Sequence, residues 1–129
     1  MPKDQETVLD DQAFLVTETD AKGIIIFSND EFAKVAEYKK EDLIGKNHNI
    51  IRHPDMPKAA FKDLWDTVKK GEVWQGYVKN KTSSGGYYWV YATIYPFKDK
   101  DGNQCYLSVR RKPSREQIAK YEQLYKTMQ

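Results

Sequence analysis

Cysteine is almost absent from this chain: one residue, Cys105, in 129. An intrachain disulfide is therefore excluded, and the usage fits a reducing compartment. Cys105 sits in an alternating segment, which reads as a packed strand residue and not a nucleophile. Long apolar runs are missing as well. The longest strongly apolar one, Ile24 to Phe27, is far too short to cross a bilayer, and the acidic, polar N-terminus carries no secretory signal. The expectation is a soluble, cytoplasmic chain with no direct membrane insertion. An excess of charge of one sign is missing too, since 21 Lys and Arg stand against 19 Asp and Glu. Nucleic acid demands a concentrated basic face and is not expected as a partner. The short clusters Lys39-Lys40, Lys69-Lys70 and Arg110-Arg111-Lys112 read as solvated surface. Histidine is scarce: His48 and His53 stand without a cysteine cluster behind them, so zinc and other metal sites are not expected. With no catalytic triad and no glycine-rich phosphate loop after a strand, neither is an enzyme. There is no internal repeat and no low-complexity segment.

What is present is one domain's worth of chain, long enough to bury a core, with 3 Trp, 9 Tyr and 5 Phe. Most of these rings belong in that core, and some can line the pocket of a flat ligand. Residues 1–11 are polar, acidic and aperiodic, a loose cap or arm. Phe14 to Thr17 reads as a strand, Asp20 to Gly23 as a turn, and Gly23 to Phe27 as the second strand of a hairpin. Asn29 or Ser28 caps a helix carrying Phe32, Val35 and Ala36. A short turn of helix follows and stops at Gly45. Met56 to Lys70 repeats apolar residues at helical spacing and ends at Gly71. Trp74 to Lys79, Tyr87 to Phe97 and Cys105 to Arg111 read as three strands. They are joined by a loop at Thr82 to Gly86 and a turn at Asp99 to Asn103. Trp89 and Phe97 read as sheet packing.

The order β-β-α-α-α-β-β-β predicts an α+β domain, with an antiparallel sheet and helices on one face. Ser114 and Gln117 form a capping pattern for one more helix over 114–128. Its stripe of Ile118, Tyr121, Leu124, Tyr125 and Met128 is either a coiled-coil seam or a face docked on the sheet. The division is then an arm over 1–11, a domain over 12–112 and a C-terminal signalling or docking helix over 113–129.

The richest segment is Gly45 to Pro57, GKNHNIIRHPDMP. Both histidines, an arginine, an aspartate and two asparagines are interleaved there with Ile50, Ile51 and Met56. One reading is the lining of a concave small-molecule site, apolar with a few placed donors and acceptors. The other is a chain break before a helix, with Asp55 as its cap and Arg52 and His53 solvated.

This segment, continued as GKNHNIIRHPDMPKAAFKDLW and followed by KKGEVWQGYVKNKTSSGGYYWV, resembles the PAS domain of the Aer-type aerotaxis receptors. The likeness runs from about Phe14 to about Tyr125. It implies the PAS fold: a five-stranded antiparallel sheet with helices on one face, plus the C-terminal helix. It also implies non-covalent binding of FAD and reporting of its redox state to a chemotaxis signalling partner, in aerotaxis or energy taxis. By position, Asn29 matches an asparagine that starts the first helix and sits in the pocket. His48, Arg52, His53 and Asp55 match loop residues tied to FAD. Trp65 and Trp74 match two tryptophans near the flavin, and Asn80 a strand residue that can hydrogen-bond the ring edge. The hairpin at Lys81 to Gly86 and the arm depart from the pattern. On this likeness the chain is expected to stop before any membrane anchor, HAMP or kinase-coupling segment, as either a fragment or a stand-alone sensor. The output partner is then a HAMP or chemoreceptor signalling domain in cis or in trans, and a homodimer is open. Two other readings remain: a haem-binding gas sensor with His48 or His53 as axial ligand, and a ligand-free dimerisation module using the last helix's stripe. A blue-light sensor that forms a cysteinyl-flavin adduct is disfavoured, because the sole cysteine lies in the last strand.

Overall fold

Strand-forming runs and tight turns appear where the sequence puts them. In the computed structural model, which describes residues 5–128, β1 (Leu15–Asp20) buries Leu15, Thr17 and Thr19 by simple alternation. Its turn is held by Asp20, whose Oδ1 accepts from the amides of Lys22 and Ile24. Gly23 takes a φ of +84°, where a side chain would be strained. β2 (Ile25–Ser28) returns antiparallel, with a bulge between Glu18 and Thr19. β3 (Trp74–Lys81), β4 (Tyr87–Lys98) and β5 (Gln104–Arg111) complete a sheet of order β2-β1-β5-β4-β3, antiparallel throughout. The two halves of the chain therefore meet at β1 and β5 in the middle, and β2 and β3 are its edges.

The segment between those edges crosses one face of the sheet. It contains α1 (Asp30–Ala36), α2 (Lys40–Leu43), a 3₁₀ turn (His48–Ile51) and α3 (Lys58–Lys69). α1 starts at Asn29, whose Oδ1 accepts from the Phe32 amide at 2.9 Å. α3 starts at Pro57 with no side-chain cap, so Asp55 is not its cap. Leu64 and Val68 of α3 face Val78, Ala92 and Ile94 of the sheet around a shared space.

The last helix, α4 (Arg115–Lys126), lies on the opposite face. It is docked on the sheet: Tyr121 stacks on Tyr77 with ring centres 4.5 Å apart, and Tyr125 stacks on Trp89 at 6.2 Å. The Tyr125 hydroxyl donates to the Tyr77 carbonyl at 2.6 Å. Of the predicted stripe, Ile118 is buried and Leu124 is exposed. The arm is not loose where it is described. Thr7 donates to the Tyr87 carbonyl at 2.8 Å, the Tyr87 amide donates to Gln5 at 3.0 Å, and Glu6 takes both terminal nitrogens of Arg115. Gly86 permits this approach, because a Cβ there would stand 2.6 Å from the Gln5 carbonyl oxygen. The arm's first four residues lie outside the described part. Among the described residues no helix is long and apolar enough to cross a membrane.

Candidate functional site

Between the crossing segment and the sheet lies a cavity of about 460 Å³, in the range of small-molecule sites. Its apolar walls are Ile51, Phe61, Leu64, Trp65 and Val68 on one side, and Val78, Ala92, Ile94 and Tyr106 on the other. Trp65 meets Tyr106 edge to face at 5.4 Å. Lys22, Asn47, Asn49 and Lys69 are exposed and mark the mouth. The cations Lys22, Arg52, Lys69 and Arg110 line the cavity, and among the described residues no Asp or Glu does.

Four of the eight expected residues reach this space: His48, Arg52, Trp65 and Asn80. The sheet edge explains the split. Residue 52 pairs with Asn80 as an isolated antiparallel bridge, so the loop runs for one step as an extra strand beside β3. Side chains of a bridged pair share a face and successive ones alternate. Arg52 and Asn80 therefore turn into the cavity, with the Arg52 guanidinium 3.7 Å over the Phe61 ring.

His53 turns to the other side, edge-on to Tyr87, its Nδ1 accepting from the Asp55 amide at 3.0 Å. Asp55 pairs there with Lys79 at 2.8 Å, and that contact holds its carboxyl below the ordinary range. Met56 secures the turn by accepting the Lys79 amide on its sulfur. His53 and Asp55 thus clamp the loop over the sheet edge and do not line the cavity. Neither of the two readings of the segment holds alone.

Asn29 and Trp74 are also outside the cavity. The Asn29 amide is taken up by the backbone, accepting from Phe32 and Val16 and donating to the Phe14 carbonyl at 2.7 Å. The pocket position expected for it is corrected to an anchor between β1 and α1. The Trp74 indole donates to Asp63 at 2.9 Å, and its ring covers Gly76. Cys105 is buried as a strand residue and does not line the cavity.

The most unusual group was not expected at all. Arg110, read from sequence as part of a solvated basic cluster, is 3% exposed. Strand alternation turns Tyr106, Ser108 and Arg110 inward and Arg111 outward. The available signal was its parity, in step with Tyr106 and Ser108 on one strand. Its Nη2 donates to Thr17 Oγ1 at 2.9 Å and to His48 Nε2 at 2.7 Å, and its carbon lies 4.7 Å from the centre of the Phe32 ring. A guanidinium only donates, so His48 Nε2 is an acceptor and its proton sits on Nδ1. The Thr17 hydroxyl, 3.2 Å from the same nitrogen, can then donate to it.

Burial, then the Arg110 charge, holds the His48 pKa down to about 3. Burial lowers Arg110 itself to about 10, which leaves it charged at neutral pH. The neighbouring Tyr88 hydroxyl is pushed up to about 12 by burial; it faces Asn80 but falls short of hydrogen-bond geometry.

A family model described as the PAS fold matches residues 25–110. The chain belongs to the PAS fold family. Over 124 residues, 96% of the chain, it is 44% identical to the aerotaxis receptor of Escherichia coli strain K12, of which it covers 24%. It is of the aerotaxis-receptor type within the family. It is also 26% identical over 106 residues to a nitrogen fixation regulatory protein of Klebsiella oxytoca, covering 81% of this chain and 21% of that one. The chain thus spans between a fifth and a quarter of the length of these two curated relatives. Among solved structures, the dark structure of the blue-light photoreceptor Aureochrome1 LOV superposes with a TM-score of 0.71 at 20% identity. That likeness covers 86% of this chain and 80% of the other, and it shows the shared fold.

Proposed function

We propose that this PAS domain binds FAD non-covalently in the cavity and reports its redox state to a chemotaxis signalling partner, as a sensor and not a catalyst. The observation that carries the reading is the cavity's composition: aromatic walls and four cations, with no carboxylate among the described residues. A flat ring with an anionic tail needs that combination. The similarity to an aerotaxis receptor supports an output in aerotaxis. Bound flavin supplies a reversible redox couple; the protein supplies binding and electrostatics.

Trp65, Phe61 and Tyr106 offer the stacking surface, and Asn80 a donor and acceptor for the ring edge. Arg52, with Lys22 and Lys69 at the mouth, offers charge for the diphosphate. His53 and Asp55 act indirectly, through the clamp that aims Arg52 inward, Asn29 by fixing α1, and Trp74 by packing against β3. Haem is the weaker reading, because iron at His48 would have to displace the guanidinium that holds Nε2. With no thiol in the cavity, adduct chemistry at Cys105 is not part of this reading. The cytoplasm, and a HAMP or chemoreceptor domain in cis or in trans, is where such an output would operate. A homodimer is compatible with it.

The absorption spectrum of the purified protein, followed by release and identification of the chromophore, tests this. Flavin bands and released FAD are expected, and Arg52→Ala should lower occupancy several-fold. Full occupancy in Arg52→Ala and His53→Ala would remove the loop from the site. A Soret band would move the histidines to iron, and a colourless protein that rejects FAD would leave an interaction module.

A further inference from the structure

We propose that Arg110 is the docking point for the pyrimidine edge of the ring, a fixed cation that holds that edge more tightly once the ring carries negative charge. The inference rests on the flavin reading and adds what regulates that site. Arg110 lines the cavity, yet among the described residues no carboxylate pairs with it. Its neighbours are all neutral: Thr17 from β1, Phe32 from α1, His48 from the 3₁₀ turn and Tyr88 from β4. Thr17 and His48 take only Nη2, and Nη1 is buried without any hydrogen-bond partner.

A guanidinium buried without a counter-ion and with an orphaned donor is costly. It does not escape the cost by losing its proton, since burial leaves its pKa at about 10. Nor does the protein offset the charge, because His48 accepts without becoming an anion. A ligand edge with carbonyl and ring-nitrogen acceptors meets the guanidinium where Arg110 lines the cavity. One that has gained charge on reduction also supplies the counter-ion. The differential between these two forms is what shifts a ligand's redox equilibrium, since a group that binds both equally shifts nothing.

The test compares the flavin-loaded wild type with Arg110→Gln and Arg110→Lys by spectroelectrochemistry, electrons coming from an electrode through a soluble mediator. Arg110→Gln should lose at least tenfold of the preference for the reduced ring. For a two-electron couple, that lowers the midpoint by about 30 mV. Arg110→Lys, which keeps the charge, should lose less. Midpoints unchanged in both variants overturn the inference.

Should the variants fail to fold or to hold flavin, the wild type alone decides, from its proton uptake at about pH 6. One proton taken up with two electrons means a reduced ring held as an anion, as expected; two protons overturn the assignment. A wild type that binds no flavin ends the flavin reading itself, and this inference with it. Bound flavin with two-proton uptake ends only the role of Arg110.

Discussion

Acid should destabilise this domain through one side chain, His48. Its imidazole is held neutral at a pKa of about 3 by burial and by a guanidinium 2.7 Å away. In the unfolded chain it titrates near 6.5. Below 6.5 the unfolded state therefore binds a proton that the folded state refuses, and stability falls as the pH falls. It is fully present above that value and is lost progressively down to about 3. From pH 7 to pH 5 the linkage amounts to about 2 kcal/mol. That window lies well above the folded-state value, so the loss is set by the ordinary titration of the unfolded side chain.

The perturbation is His48→Gln, whose amide oxygen can still accept from Arg110 and never takes a proton. Urea unfolding of the ligand-free protein at pH 7 and pH 5 measures both. With a urea slope of about 2 kcal/mol per molar, the wild-type midpoint should drop by about 1 M more than that of the variant. The variant also serves as the control for His53, the second histidine, and for the carboxylates. Equal losses in the two proteins would refute the neutral imidazole, and with it the acceptor role of Nε2.

Two further outcomes test the packing. Gly76→Ala places a Cβ 2.4 Å from the Trp74 ring, so the ring must leave its place over β3. A cost of about 1–3 kcal/mol is expected, read as a lowered thermal midpoint, and an unchanged midpoint would mean that the ring moves freely. Tyr125→Phe deletes the 2.6 Å bond to the Tyr77 carbonyl at a cost of about 1 kcal/mol. Hydrogen exchange should speed up in α4 and not in β5, and uniform exchange would argue against an independently releasable helix.

Much of the fold is legible along the chain because its determinants are local. Asn29 and Ser114 announce helix starts by their cap chemistry, and both accept from an amide three residues on. Gly23 and Asp99 to Asn103 announce turns, since each needs a particular dihedral angle or a side-chain acceptor. The face α4 takes is not local: it depends on Tyr77, Trp89 and Tyr91 forming an aromatic outer surface, three residues on two strands whose pairing is set by tertiary register. Arg110 fails for the same reason. Beside Arg111 and Lys112 it looks like surface charge, and only the inward parity of β5 against β1 puts it next to Thr17.

The expected site residues divide by one physical rule, and the division bears on how a signal could leave the cavity. Along β3, Val78 and Asn80 face the ligand space, while Tyr77 and Lys79 face outward, Tyr77 under α4 and Lys79 against Asp55. The RHPDMP loop repeats that alternation, Arg52 inward and His53 and Asp55 outward. On the proposed flavin reading, a change at the ring edge that shifts Asn80 must therefore move a strand whose other face holds both α4 and the loop clamp. Coupling between two sites requires an element with differential contacts in two states; β3 lines the cavity with Val78 and Asn80 and carries Tyr77 under α4, and β4 lines it with Ala92 and Ile94 and carries Trp89 under Tyr125. Of these two strands β3 is the more direct route, since among the described residues the hydrogen bond from a sheet carbonyl to α4 is made on it.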